Sequence, residues 1–363
     1  MAAGPVARTH RGRLDFLDAL RGVAAVVVVI QHVSEQVHWR PALWFSVHVA
    51  QLGQLGVMVF FLVSGFIIPV SLERHGNLKG FWVARVFRLY PLYWVSLVAA
   101  FVLWRNGQYF VDPGISAHPL TAFLANATMA SRLFHQPYAI GLYWTLLFEL
   151  IFYIGCSVLF VIGWLRYSDR IALVLMAGIL VKTYGPVLVG GAASPSALPF
   201  IAMVTGTLLY RFFYATMSPR RAALVVTAAA VTGVLAYAPL IGKSHRVQFY
   251  GGDAFGPMVG AFLGAIGIVV VAMMLRHHSV PRWLCHLGLV SYSMYLVHPL
   301  LLQWLDLPHS PGLAVAVFVA VTVGVATVTY YLIEAPMIEA GRTIVRRLDR
   351  GRAMPEGMVT TAP

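Results

Sequence analysis

The stretch "LRGVAAVVVVIQHV", residues 20–33, holds an arginine, Arg21, and a histidine, His32, in a run otherwise apolar enough for the inside of a bilayer. Their eleven-residue separation returns to nearly the same helix face ~16 Å farther along the axis, so both can line one channel. Ionisable side chains at membrane depth face a cavity or a partner and are functional candidates by default. The alternative is snorkelling, because Arg21 lies near one end of the run and His32 approaches the other. A third such group is Glu149 in "GLYWTLLFELIFYIGCSVLF", the only carboxylate between Asp112 and Asp169. A buried carboxylate takes up a proton or needs a cation, and beside an imidazole it makes a tunable base by orienting the ring. A neutral Glu149 hydrogen-bonded to a tyrosine or tryptophan across a helix interface explains the same residue. Rise counting places His32 shallower than Glu149, so a direct contact between them requires tilt.

Arg85 and Arg88, in "LKGFWVARVFRLYPLYW", are three apart and share a helix face. Such a pair suits a phosphate or pyrophosphate through charge-assisted hydrogen bonds, and equally suits anchoring to anionic lipid. In "LGVMVFFLVSGFIIPVSL", Gly56, Ser64 and Gly65 admit a neighbouring backbone, and Pro69 can distort the helix end. In "SYSMYLVHPLLLQWL", Ser291, Tyr292, Tyr295 and His298 lie within an apolar span, where His298 either orients a substrate or hydrogen-bonds inside the bundle. Glu334, before Pro336, reads as a topological or ion-pairing element. Cys156 and Cys285 have neither metal-ligand spacing nor a local partner, so no metal is expected.

These residues need a membrane scaffold to position them. The 363 residues are 59% hydrophobic and 11% charged, which excludes a soluble protein. The formal charge of +13 is spread thinly between apolar segments instead of gathering on a polar face, so no nucleic-acid partner is expected. Apolar segments fall near 14–33, 52–72, 88–104, 140–164, 170–187, 197–215, 222–241, 254–275, 287–305 and 311–335. The fold class is therefore all-α, a polytopic helix bundle with about ten transmembrane helices. Most arginines and lysines fall on one side of that arrangement, which places both termini in the cytoplasm and the protein in the cytoplasmic (inner) membrane as a multi-pass protein. The basic leader with Arg8, Arg11 and Arg13 precedes a retained first helix, since no small-residue cleavage site follows. The segment 119–130, "PLTAFLANATMA", is too short and polar to cross and reads as a re-entrant or surface helix. Residues 1–340 form one transmembrane domain, and 341–363 a basic and polar cytoplasmic tail.

Six segments in order, "LDALRG" with its histidine, "FFLVSGF", "FWVARVFRLYPLYW", "YWTLLFELIFY", "SYSMYLVHP" and "YYLIEAP", resemble acyltransferase family 3, the membrane O-acyltransferases of bacterial surface polysaccharides, nodulation factors and some macrolides. The resemblance implies transfer of an acyl group, acetyl first among them, from cytoplasmic acetyl-CoA or another acyl-CoA to a hydroxyl acceptor. That acceptor is a carbohydrate such as an exopolysaccharide or its lipid-linked precursor, or else a small natural product such as a macrolide. By the same resemblance Arg21 and His32 are the signature pair, with His32 essential as base or transient acyl carrier, and Arg21 facing the coenzyme or the oxyanion. Arg85 and Arg88 would hold the coenzyme phosphates and Glu149 is the acidic residue of a W-x-L-x-x-E helix, with Thr145 and Phe148 departing from the common pattern. Ser64, Tyr292 and His298 are expected substrate contacts. The bundle, as a monomer or homo-oligomer in the lipid bilayer, would act unaided or with a separate partner. A glycan or lipid transporter is the alternative of another class, although neither inverted repeats nor paired broken helices are apparent.

Overall fold

Within lipid every backbone N–H and C=O must be satisfied inside the protein, which leaves helices as the solution for this composition. A computed structural model describes residues 14–194, 197–214, 216–241 and 255–352. Arg8, Arg11, Arg13, Lys243, Arg246 and residues 353–363 lie outside the described residues. In chain order the helices are α1 (Asp15–Val37), α2 (Arg40–His48), α3 (Leu52–His75), α4 (Leu78–Arg105), α5 (Pro113–Ala117), α6 (Pro119–Ala127), α7 (Trp144–Val161), α8 (Ser168–Tyr184), α9 (Leu198–Phe213), α10 (Pro219–Tyr237), α11 (Phe255–Met274), α12 (Arg282–Leu289), α13 (Ser291–Trp304), α14 (Pro311–Thr329) and α15 (Ala335–Arg352). A π-helical turn, Tyr330–Glu334, joins α14 to α15 without a break in direction of the chain, and the 340/341 boundary falls inside α15.

Among the described residues eight helices are long and apolar enough to cross a membrane, and a ninth if the pair α12 and α13 counts as one span. That pair is bent by 64° at Val290, so the segment expected at 287–305 is a broken helix instead of a straight one. The segment expected at 197–215 is the 16-residue α9, ~24 Å long and short of the ~30 Å hydrocarbon layer. Its shortness is tolerated because α9 is buried along nearly its whole length, against α3, and meets protein where a peripheral helix would meet lipid. The α3–α9 contact is backbone to backbone. A Cβ on Gly65 would fall 1.8 Å from the Met203 carbonyl oxygen, and one on Gly206 2.0 Å from that of Leu62. Pro69 sits inside α3, which nonetheless continues to His75. Lacking an N–H, Pro69 leaves the Gly65 carbonyl free, and the Thr207 hydroxyl of α9 donates to it at 2.9 Å.

A second close approach fixes the start of α1. A Cβ on Gly22 would meet the Gly288 nitrogen at 2.6 Å, and one on Gly288 the Asp18 carbonyl oxygen at 2.0 Å, so α12 lies directly on the turn that carries Arg21. Gly76, at φ 65°, ends α3, and the Asn77 side chain caps α4 by accepting from the Gly80 N–H at 2.6 Å. α4 therefore starts ten residues before the apolar run suggested, and Arg85 and Arg88 lie within its first turns.

Residues 106–143 fold back along α4 to the level of its middle. Tyr93 Oη donates to the Asn126 carbonyl at 2.5 Å, Trp94 Nε1 to that of Ala127 at 2.9 Å and Tyr90 Oη to that of Thr128 at 3.2 Å. Buried Asn126 closes the turn, donating to the Ala122 and Pro137 carbonyls and accepting from the Ala139 N–H. This polar stitching permits non-helical backbone to pack against the bundle.

An ion pair between α3 and α9, buried on its arginine side, went unread in the sequence. Arg211 of α9 donates to Glu73 of α3 at 2.7 Å and to the Leu165 carbonyl at 2.8 Å, while Tyr210 hydroxyl bonds the same carboxylate. It ties three elements at one end of the molecule and takes no part in the cavity described next.

Candidate active site

The close contact of Gly22 with α12 turns Arg21 into a cavity between α1, α3, α4, α7 and α13. The cavity is lined by Arg21, Glu149, Thr145, Ser291, Tyr292 and Tyr295 together with Val57, Phe60, Phe61, Leu89 and Leu146. Its apolar walls with a few converging polar groups are the usual make-up of a small-molecule site. The carboxylate of Glu149 is held by Ser64, whose hydroxyl donates to Oε1 at 3.1 Å, and by the hydroxyl of Tyr153 one turn along α7. Tyr153 in turn lies under Arg85, whose guanidinium sits 5.8 Å from that ring and 5.5 Å from Phe81 and donates from Nη2 to Ser71 at 2.9 Å. The buried Arg85 Nε has no hydrogen-bond partner.

Arg21 and Arg88 make no hydrogen bond or ion pair with any described residue, yet they act on each other and on Glu334, and Arg21 also on Glu149, through space. Glu334, carried on the π turn, accepts from Ser293 at 3.0 Å through Oε2 and leaves Oε1 without a partner. Tyr292 completes the seam by donating to the Leu89 carbonyl at 2.8 Å, which fixes α13 against α4 one residue from Arg88. Three guanidinium groups thus share their surroundings with two carboxylates, and hydrogen-bonding capacity on the cations is left over. Such a set fits a phosphate-bearing ligand.

His32 stands elsewhere. It is absent from the cavity wall, and its ring neighbour is His298, with centroids 5.3 Å apart and planes at 45°. The sequence pairing of His32 with Glu149 is corrected accordingly, since Glu149 spends its hydrogen bonds on Ser64 and Tyr153. The reason is the axial offset. His32 is ~16 Å from Arg21 along α1, and the cavity that Arg21 lines includes Phe60 and Tyr295, whose rings are 6.0 Å apart, but not His32. Each imidazole donates its Nδ1–H to a carbonyl four residues back, His32 to Val28 and His298 to Met294, both at 2.9 Å. A carbonyl can only accept, so Nδ1 is the donor in both rings and Nε2 is the nitrogen that carries the lone pair whenever the ring is neutral. His298 is 0% exposed, its Nε2 has no partner, and Tyr295 of the cavity wall lies 6.1 Å from its ring. Thr145, one of the two departures noted above, bonds Tyr295 at 2.8 Å, and Phe148 packs between Trp144 and Phe200.

Sequence reasoning missed Tyr153, although its position one turn after Glu149 on the same helix was a usable signal. Glu334 was read as an ion-pairing element, and the structure places it beside the arginine cluster.

A family model described as an acyltransferase domain matches residues 14–334. The chain belongs to acyltransferase family 3. Its relatives agree with that membership. Nodulation protein 10 of Rhizobium leguminosarum bv. viciae is 25% identical over 396 aligned positions, covering 95% of this chain and 98% of that protein. A putative membrane-bound transacylase, BcsY, of Komagataeibacter xylinus is 25% identical over 375 positions, 95% of this chain and 88% of its own length. The acyltransferase MdmB of Streptomyces mycarofaciens is 33% identical over 93 residues, 25% of this chain and 24% of that protein. No solved structure matches. This family 3 member is a multi-pass membrane acyltransferase, an enzyme that takes its acyl group from a donor and passes it to a hydroxyl acceptor.

Proposed function

We propose that the donor is an acyl-CoA, acetyl-CoA first, and that the acceptor is a hydroxyl of a carbohydrate such as an exopolysaccharide or its lipid-linked precursor. A macrolide-like natural product is the narrower alternative. The observation that carries this reading is the set of arginines whose hydrogen-bonding capacity is unspent: Arg21, Arg88 and the Nε of Arg85, gathered at the end of α4 that the charge bias assigns to the cytoplasm. Arg85 and Arg88 would take the coenzyme phosphates, and Arg21 the pyrophosphate or thioester end inside the cavity.

The thioester carbonyl reaches His32 once the Tyr295 ring turns aside. His32 Nε2 removes the acceptor hydroxyl proton as the oxygen attacks the thioester carbon. The tetrahedral oxyanion collapses, the carbon–sulfur bond breaks, and the imidazolium returns its proton to the departing thiolate, giving an ester and free coenzyme. The variant in which His32 first accepts the acyl group uses the same Nε2. His298 packs against His32 and holds its ring plane. Glu149 acts at a distance from the imidazole, countering the charge of Arg21, which lines the cavity with it, and of Arg85 beyond Tyr153. Ser64 and Tyr292 fix Glu149 and the α4–α13 seam.

The test is thermal. Acetyl-CoA in about hundredfold excess over its Kd should raise the melting temperature of the detergent-purified protein by a few degrees, through ~2.7 kcal/mol of binding linkage. Coenzyme lacking its 3′-phosphate should shift it less. A melting curve indifferent to acetyl-CoA at millimolar concentration would refute the donor assignment and return the arginines to lipid anchoring.

A further inference from the structure

Among the described residues a second concavity lies outside the arginine cavity, and nothing above assigns it. It is an open cleft where residues 106–143 fold over the ends of α7 and α13. Aromatic rings line it, Tyr109, Phe110, Tyr138 and Trp144, together with Asp112, Arg132 and Gln303. We infer that this cleft binds the acceptor as a neutral carbohydrate chain. The inference rests on the acyltransferase reading above and supplies that reaction with its second substrate site.

The chemistry of the lining selects the ligand. One acid and one base leave the cleft lining with no net charge. The surroundings of the donor cavity instead hold three arginines, Arg21, Arg85 and Arg88, against Glu149 and Glu334, so a phosphate or nucleotide is favoured there and not here. Aromatic faces stack on the C–H faces of sugar rings through their negative quadrupole. The polar groups are already oriented and still have capacity. Gln303 accepts from the Phe110 N–H at 2.7 Å through Oε1, which leaves its NH₂ to donate. Asp112 accepts from the Gly114 N–H at 2.8 Å through Oδ1, which leaves Oδ2. Arg132 lies 5.4 Å over the Tyr138 ring, and its donors make no hydrogen bond to any described residue. Carboxylate, amide and guanidinium side chains spaced around stacked rings match vicinal hydroxyls. Phe110 is 76% exposed, a large apolar face that a stacked sugar would cover.

Placement agrees. On α7, Trp144 lines the cleft and Glu149, five residues on and ~7 Å deeper, lines the donor cavity. On α13, Tyr292 faces the cavity and Gln303, eleven residues later on the same face, faces the cleft. His298, against His32, stands between those two levels. Along α4 the phosphate-suited Arg88 and the chain entering the cleft after Arg105 are ~25 Å apart. Donor and acceptor would therefore approach the imidazole pair from opposite ends.

The experiment uses the full chain in lipid nanodiscs without coenzyme, and saturation-transfer NMR with cellotetraose, chitotetraose and a neutral tetrapeptide. Wild type should bind at least one tetrasaccharide and not the peptide. Phe110→Ala and Arg132→Ala should each weaken that binding by about ten-fold or more, as loss of a contact that fixes the ligand does. Leu188→Ala, at a side chain 89% exposed elsewhere, should leave it unchanged. Silence with both sugars, equal binding of the peptide, or affinities indifferent to the two cleft substitutions would overturn the assignment. A protein that binds sugar without responding to acetyl-CoA contradicts the donor reading alone. One that responds to acetyl-CoA and ignores both sugars contradicts the cleft alone.

Discussion

His32→Ala should lower acetyl transfer to acceptor by about 10³-fold while the protein remains inserted and folded, the scale expected for loss of a positioned base. The ring contributes little packing that alanine would disrupt, since among the described residues it bonds the Val28 carbonyl of its own helix and meets the ring of His298. His32→Gln should be nearly as inactive, because an amide restores bulk without a basic nitrogen. The acetyl-CoA melting shift should survive in both variants, as His32 is outside the cavity wall. Rates near wild type in purified His32→Ala would remove the imidazole from the chemistry. A lost melting shift would instead place the coenzyme beside His32.

The second large effect should come from the arginines. Arg85→Ala with Arg88→Ala should weaken acetyl-CoA binding by about 10²-fold or more, because each charge-assisted hydrogen bond to phosphate is worth ~1.5–3 kcal/mol. Turnover at saturating coenzyme should change far less than the Kd. The single variant Arg88→Ala is the cleaner probe. Arg85 also donates to Ser71 and covers Phe81 and Tyr153, so its loss disturbs the support of Glu149, whereas Arg88 has no hydrogen-bonded partner to abandon. Calorimetry in nanodiscs reads the affinity directly. Unchanged binding would mean that the pair anchors lipid and that the coenzyme lies elsewhere.

What could be read from the chain alone was whatever depends on hydropathy and short spacing. Each apolar segment appears as helix, the polar stretch at 119–130 does fold back on the bundle, and Gly65 marks a close approach because a small residue in lipid has few other uses. The 64° bend at Val290 was invisible, since the residues on either side are as apolar as a straight span and composition carries no direction. The short α9 was overestimated for the opposite reason, because a helix surrounded by protein is released from matching the bilayer. Of the candidates singled out in the sequence, Arg21, Glu149 and Tyr292 line one cavity, and Ser64 and Arg85 connect to it through Glu149 and Tyr153. The partner of His32 was misread. Rise along one helix gives depth but not which neighbour stands opposite, and His298 could be found only once α13 was seen to pass beside α1.

The most direct measurement follows the acyl group itself. Cells expressing the wild-type chain or His32→Ala, grown on isotope-labelled acetate, are compared by mass spectrometry of base-labile acetyl esters in surface glycans and small-molecule extracts. A labelled ester present with the wild-type chain and absent with His32→Ala is the predicted result. Identical ester profiles in the two strains would contradict it.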